Sequence, residues 1–440
     1  MILAHATIAR AEDKQPEHEL DPEQVVTGIE EPGRESGDAE RDFGNVVLWV
    51  PRTLFDYIFR GATAAARYVA DEQLVPRYRE ALGAPPDGDV FIFPTIFAET
   101  GETFNAGVRM LVDTPGVATF QRFGFGGLHD LVSESRIIVK GRGRLPYVIS
   151  IESFFEEEST IEYYGLGIVP TNDARNHFQP GTDQEFGQYL ERHTRALGSL
   201  GLRMAPELEF FLSMSLSRRR VQDTPDSEEQ ALSRVFDVSS LAGFGGEDAW
   251  LGYAEMAARF DSRPYRGRPA PGALAEAYTG GAQSTEGPPV SFMRVGWRAG
   301  GFIPIYRRTN ILSPVLKFDR LVPLGGLPVP FNEIPRQPEF RGFDRRRDFV
   351  SIVASLDYSW QLVSFMGLRI FGDAATVAPS VAGLSFEQLK HLRWAAGLGF
   401  DLYSSRAQLG QLLFSGSPEG VRALFSLGEV ERFGDRQHRE

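Results

Sequence analysis

The stretch from Phe340 to Trp360, FRGFDRRRDFVSIVASLDYSW, sets an arginine-rich turn directly against a strict two-residue alternation. Successive side chains of an extended chain point to opposite sides. Val350, Ile352, Ala354, Leu356, Tyr358 and Trp360 therefore share one face of a β-strand, and Ser351, Val353, Ser355, Asp357 and Ser359 the other. One face is apolar and ends in aromatics; the other is mostly small and polar. Two environments supply such contrast: a water-facing sheet over a soluble core, or a barrel wall between lipid and a wet lumen.

The pattern recurs from residue 88 onward. Leu208, Phe210, Leu212, Met214 and Leu216 oppose Glu207, Glu209, Ser213, Ser215 and Ser217, while Met293, Val295 and Trp297 oppose Arg294, Gly296 and Arg298. Trp394, Ala396 and Leu398 oppose Arg393, Gly397 and Gly399 in the same way. One face is uniformly apolar, and the other carries charge in mid-strand. Connections alternate between short turns and longer loops, as in an up-and-down membrane barrel of roughly ten-residue strands, and a soluble sandwich does not need that asymmetry. The sequence predicts an all-β antiparallel transmembrane barrel over residues 88–440, preceded by a short helical segment.

Composition narrows the chemistry. The chain has 440 residues, a net charge of -13 and no Cys. The acidic balance disfavours a nucleic-acid partner, and the missing Cys removes disulfides, thiolate metal sites and thiol nucleophiles. No run of 18 or more apolar residues occurs, so a transmembrane helix is not expected. The seven His residues are dispersed without metal-ligand spacing, and neither a metal nor a cofactor is indicated. A barrel lipase would need a Ser supported by His129 or His193, and the plainer reading of each is a strand or loop histidine. No enzymatic role is expected.

Upstream of the barrel, residues 1–11 resemble the tail of a signal peptide, with small residues at Ala9 and Ala11; a frayed terminus is the alternative. Residues 12–42 are acidic and poor in aromatics, which predicts a disordered linker. In residues 43–87, Leu54, Phe55, Ile58, Phe59, Ala62, Ala66 and Val69 follow helical spacing. That helix packs on its own domain or lies in the membrane interface.

The ordered series FPTIFAETGETFNAG, IEYYGLGIVPTND, RFDSRPYRGRPAPG, RVGWRAGGFIPI, PEFRGFDRRRD, FGDAATV, LRWAAGLGFDLYSS and VRALFSLGEVERF resembles the bacterial surface-antigen barrels. These form the superfamily of BamA, TamA and the two-partner secretion transporters, and the resemblance spans residues 88–433. It implies sixteen strands, which leaves roughly twenty-two residues for each strand with its connection. It also implies that the loop between the eleventh and twelfth strands folds into the lumen, with Arg341, Gly342 and Phe343 at its tip and Phe371 and Asp373 as the wall motif. Strand parity independently turns Arg369, Phe371 and Asp373 inward when Leu368 and Ile370 face lipid. Where the family usually has glycine two residues after the acid, this chain has Ala375. Residues 12–87 show no strand pattern for a POTRA domain, so the chain resembles a POTRA-less member.

By that resemblance the expected role is insertion or translocation of protein or lipid through a lateral gate in the outer membrane of a Gram-negative bacterium. The alternatives are a scaffold barrel without transport, in some cases oligomeric, and a passive pore. Expected partners are outer-membrane lipids, a polypeptide or lipid client, and a second copy of the chain. The weakest seam is expected between the first and last strands, where Pro94 cannot donate to the ladder and Gly428 lies near Phe425. The basic runs Arg218–Arg220 and Arg345–Arg347 are read as solvated loop charge or contacts to lipopolysaccharide phosphates.

Overall fold

A computed structural model describes residues 89–427, apart from 100–103, 115, 142, 246–248, 265–268, 306–309, 344, 364–365, 385–389 and 404–407. The expected signal remnant, linker and helix, with Leu54, Phe55, Ile58 and Phe59, lie outside the described residues, as does Gly428. The first eight strands are β1 (Asp89–Glu99), β2 (Asn105–Asp113), β3 (Val117–Gly127), β4 (Asp130–Gly141), β5 (Tyr147–Tyr163), β6 (Gly187–Ala205), β7 (Leu208–Asp223) and β8 (Trp250–Asp261). The rest are β9 (Gly272–Glu286), β10 (Ser291–Pro304), β11 (Asn310–Pro323), β12 (Val350–Val363), β13 (Met366–Ala378), β14 (Arg393–Tyr403), β15 (Gln408–Ser417) and β16 (Gly420–Leu427). Each strand pairs antiparallel with its chain neighbour, and β1 pairs with β16 to close the barrel. Closure satisfies the backbone groups internally, a requirement wherever hydrocarbon replaces water.

Alternation sets the two faces of the wall. On β7, Phe210, Leu212, Met214 and Leu216 are exposed on the outside, while Glu209 and Ser213 are 0% and 1% exposed within. The lumen holds paired charges: Glu152 stands 2.9 Å from Arg136 and 2.8 Å from Arg195, and Glu276 stands 2.7 Å from Arg259. Among the described residues, no helix is long and apolar enough to cross a membrane, which says nothing against crossing by strands.

Connections after odd-numbered strands include the long segments 164–186, 224–249, 324–349 and 379–392, whereas those after even-numbered strands are short apart from 262–271. Segments 164–186, 224–249 and 324–349 meet over one end of the barrel. Ile161, Tyr163, Tyr189 and Val221 of the wall pack with Leu232, Val235 and Phe236 of 224–249 and Phe331 of 324–349. A second cluster joins Leu251, Tyr253, Phe292 and Leu321 to Val329 and Ile334. The apolar cores thus lie beneath the loops, because the lumen below is polar.

Two expectations are corrected here. Strands β5, β6 and β7 have 17, 19 and 16 residues, longer than the sequence pattern suggested. A 19-residue strand is roughly 60 Å long, far more than an apolar band of about 25 Å needs, so its end continues the wall beyond the band. The run Arg345–Arg347 is not free loop charge: Arg345 and Arg346 are half-buried and Arg347 is buried. Arg347 is 4% exposed and donates to the Phe331 and Glu162 carbonyls, and Arg346 donates to the Ile168 carbonyl. The Phe331 and Ile168 carbonyls of the loops and the Glu162 carbonyl near the end of β5 supply acceptors that water would otherwise provide.

Candidate functional site

Segment 324–349 crosses the lumen and grips both sides of the wall. On one side, Arg341 meets the β13 carboxylate Asp373 through Nε at 2.8 Å, Nη2 at 2.5 Å and its own backbone N–H at 2.9 Å. The same Nη2 donates to Asp357 of β12 at 2.5 Å. Its guanidinium lies 3.9 Å over the Phe371 ring, and the Ser415 hydroxyl donates to its carbonyl at 2.5 Å. A planar cation between two carboxylates and an aromatic face uses the geometry that distinguishes arginine from lysine. The Asp373 side chain is fully buried by this contact.

The neighbours of Arg341 hold the turn in place. Phe340 is completely buried among Val353, Ala375 and Ala395, with Arg393 4.7 Å above its ring. Ala375, where the resemblance led us to look for glycine, contributes its methyl group to this cluster. The close approach falls at Gly342 instead: a Cβ there would enter the Phe340 ring and stand 3.2 Å from the Ala395 Cβ. Arg422 of β16 donates to the Gly342 carbonyl, and Arg393 of β14 donates to that of Phe343. The Phe343 ring lies beneath Arg345 at 4.2 Å. On the wall, Gly397 leaves room for Phe371, whose ring tip would be 2.7 Å from an added Cβ.

The opposite anchor was not read from the sequence. Arg219 of β7 lies 2.9 Å from Glu333 and 2.5 Å from Glu191, and Asn332 donates to Glu191 at 3.1 Å. Arg336 donates to the Tyr189 hydroxyl at 3.1 Å, and Arg294 of β10 to the Glu333 carbonyl at 2.7 Å. A third tie lies at the long-loop end, where Arg175 of 164–186 stands 2.7 Å from Asp348 and 2.6 Å from Asp173. Hydrogen bonds from Arg175 hold the Asp173 carboxyl below the usual aspartate range. Burial lowers the pKa of the Arg346 guanidinium.

Arg341, Gly342, Phe343, Phe371 and Asp373 therefore come together in one place. Asp357, Arg393, Ser415 and Arg422 join them without having been singled out, although Asp357 lies on the inward parity of its strand, where a mid-strand acid was a usable signal. Of the seam residues, Phe425 stands on β16 against β1 and Pro94 lies within β1, while Gly428 lies outside the described residues. Pro94 sits opposite Val108 of β2, while Phe425 faces Ala98. Among the described residues, β1 and β16 pair only through Phe97, Ala98 and Glu99 with Ser426, Phe425 and Leu424.

No protein-family model matches the chain, and no curated protein matches it. Among solved structures it is similar to BamA from Haemophilus ducreyi lacking POTRA domains 1–3, at a TM-score of 0.53 and 13% identity over 78% of this chain and 70% of that one. CdiB from Acinetobacter baumannii matches at a TM-score of 0.47 and 11% identity, over 78% of this chain and 60% of that one. OccK5 (OpdH) from Pseudomonas aeruginosa matches at 0.33 and 9%, over 77% of this chain and 97% of that one. The BamA likeness is one of fold: this chain is a closed sixteen-stranded antiparallel barrel of the kind seen in that outer-membrane protein.

Proposed function

We propose that the chain is a bacterial outer-membrane barrel of the BamA/TamA kind, in which the junction of β1 and β16 opens to pass protein or lipid into or across the membrane. The observation that carries this reading is that β16 returns to β1 to close the wall, so this junction joins the first and last strands and holds Pro94 within β1. Proline has no N–H to give to a ladder, so a strand that contains it forms fewer rungs and parts from a neighbour at lower cost. Clients enter from the bilayer; because Arg422 ties segment 324–349 to β16, that strand stays with the segment and β1 is the one that moves away.

A second reading, a scaffold barrel without transport, draws support from the same crossbar, since both anchors brace the wall. A lumen crossed in this way weighs against a passive pore. The test uses the chain's lack of Cys. Cysteines replacing Ala98 and Phe425, which face each other, form the only available crosslink. In proteoliposomes, oxidation should stop polypeptide insertion or lipid transfer and reduction should restore it. Full activity with the crosslink confirmed by mass would rule out this seam as the gate. If the uncrosslinked barrel has no activity, the scaffold reading stands.

A further inference from the structure

We infer that Arg369 and Asp401 are positioning residues for the Arg341 clasp, acting on it through Asp357, so that the short-turn end of β14 is coupled to the tip of segment 324–349. The inference goes beyond the seam reading and holds whether or not the wall opens. Asp357 of β12, Arg369 of β13 and Asp401 and Tyr403 of β14 share the inward parity of their strands. Register sets them on one descending diagonal. Arg369 stands opposite Ser359 on one side and Gly399 on the other, and each acid lies two residues along from these small positions. Asp357 is displaced toward the long-loop end and Asp401 toward the short turns, where Tyr403 ends β14. One guanidinium therefore spans two carboxylates at different depths in the lumen.

The contacts alternate in sign from the clasp downward. Arg341 donates to Asp357 Oδ1 at 2.5 Å, Asp357 Oδ2 stands 3.5 Å from Arg369 Nη1, and Arg369 reaches Asp401 Oδ2 through Nη2 at 2.9 Å and Nε at 3.0 Å. The Tyr403 hydroxyl donates to the same Asp401 oxygen at 3.1 Å. The Asp401 side chain is fully buried and those of Arg341, Asp357 and Arg369 are at most 18% exposed, so water screens the series weakly. The 3.5 Å contact is the loosest link and the one whose length can change. While Asp401 holds Arg369, Asp357 is free to serve Arg341. Without the Asp401 charge, Arg369 turns to Asp357 and competes with Arg341 for it, and the added positive field acts on Arg341 in the same direction. Without Arg369, Asp357 turns wholly to Arg341. The two neighbouring substitutions thus push the clasp in opposite directions, which packing against the wall would not do. Coupling is reciprocal, so release of Arg341 loosens Arg369 from Asp401.

The test is hydrogen exchange of the Arg341 amide, which donates to Asp373, in the purified full chain at one pH and in one detergent, with heat-modifiable mobility confirming a closed barrel. Asp401→Asn should lower protection at that amide about fivefold to tenfold. Arg369→Gln should keep it at the wild-type level or raise it. Arg369→Gln/Asp401→Asn, which removes the freed cation along with its partner, should restore the wild-type level. A double variant as poorly protected as Asp401→Asn, or worse, would overturn the relay, and so would lower protection in Arg369→Gln; either result assigns both residues to packing alone. If Asp401→Asn does not fold, Arg369→Gln and the double variant decide by the same criteria, since a packing role lowers protection in both and the relay in neither. Neither insertion nor lipid transfer is read in this experiment, so its outcome is independent of the seam.

Discussion

Arg341 and Asp373 are joined by three hydrogen bonds, two from the guanidinium and one from the backbone N–H, across 32 residues of sequence. Because the backbone bond survives truncation of the arginine side chain, the two single substitutions cannot be equivalent. Asp373→Ala leaves a buried cation with only Asp357, and should cost about 3 kcal/mol or more; Arg341→Ala should cost less. In a double-mutant cycle read by the loss of heat-modifiable mobility, the coupling should be about 1–3 kcal/mol. Additive single effects would disprove the clasp.

Gly342 is the position where the turn has no room for a side chain. Gly342→Val should force Phe340 out of its cluster with Val353, Ala375 and Ala395 and destabilise the barrel by about 1–3 kcal/mol. Ala375→Gly tests the other side of the argument. It removes a packed methyl, so it should weaken the cluster by roughly 1 kcal/mol, and stabilisation would contradict it.

The opposite anchor predicts a divided response. Glu333→Gln removes one carboxylate from Arg219, which keeps Glu191 at 2.5 Å. Hydrogen exchange should rise in the first half of segment 324–349 and stay unchanged around Arg341. A uniform rise across the segment would mean that the loop moves as a single rigid body.

The tie between Arg175 and Asp173 should be sensitive to acid. The folded-state carboxyl of Asp173 titrates below its unfolded value because Arg175 donates to it, so its contribution is fully present above about pH 4 and is lost as pH falls through the folded value. The measurement is the protection of 164–186 from hydrogen exchange, with the intrinsic pH dependence of amide exchange divided out, which should fall in the wild type below about pH 4 and be nearly flat with pH in Asp173→Asn.

The barrel was legible in the chain because side-chain period is a local property. Phe210 and Met214 outside with Glu209 and Ser213 inside follow from backbone geometry alone, as does the inward direction of Asp373. The pairing of Arg341 with Asp373 entered by resemblance, and parity could say only that the acid faced the lumen. The fate of the arginine runs depended on tertiary structure. Arg345–Arg347 and Arg218–Arg220 look alike in sequence, yet Arg347 is enclosed by carbonyls brought from residues 162 and 331, while Arg218 and Arg220 remain on the outer rim. A charged side chain is buried only where distant backbone delivers enough acceptors to replace water, and no local pattern records where that happens. The same reason hid Glu333 and Arg219, whose contact exists because a loop and a strand more than a hundred residues apart close on one lumen.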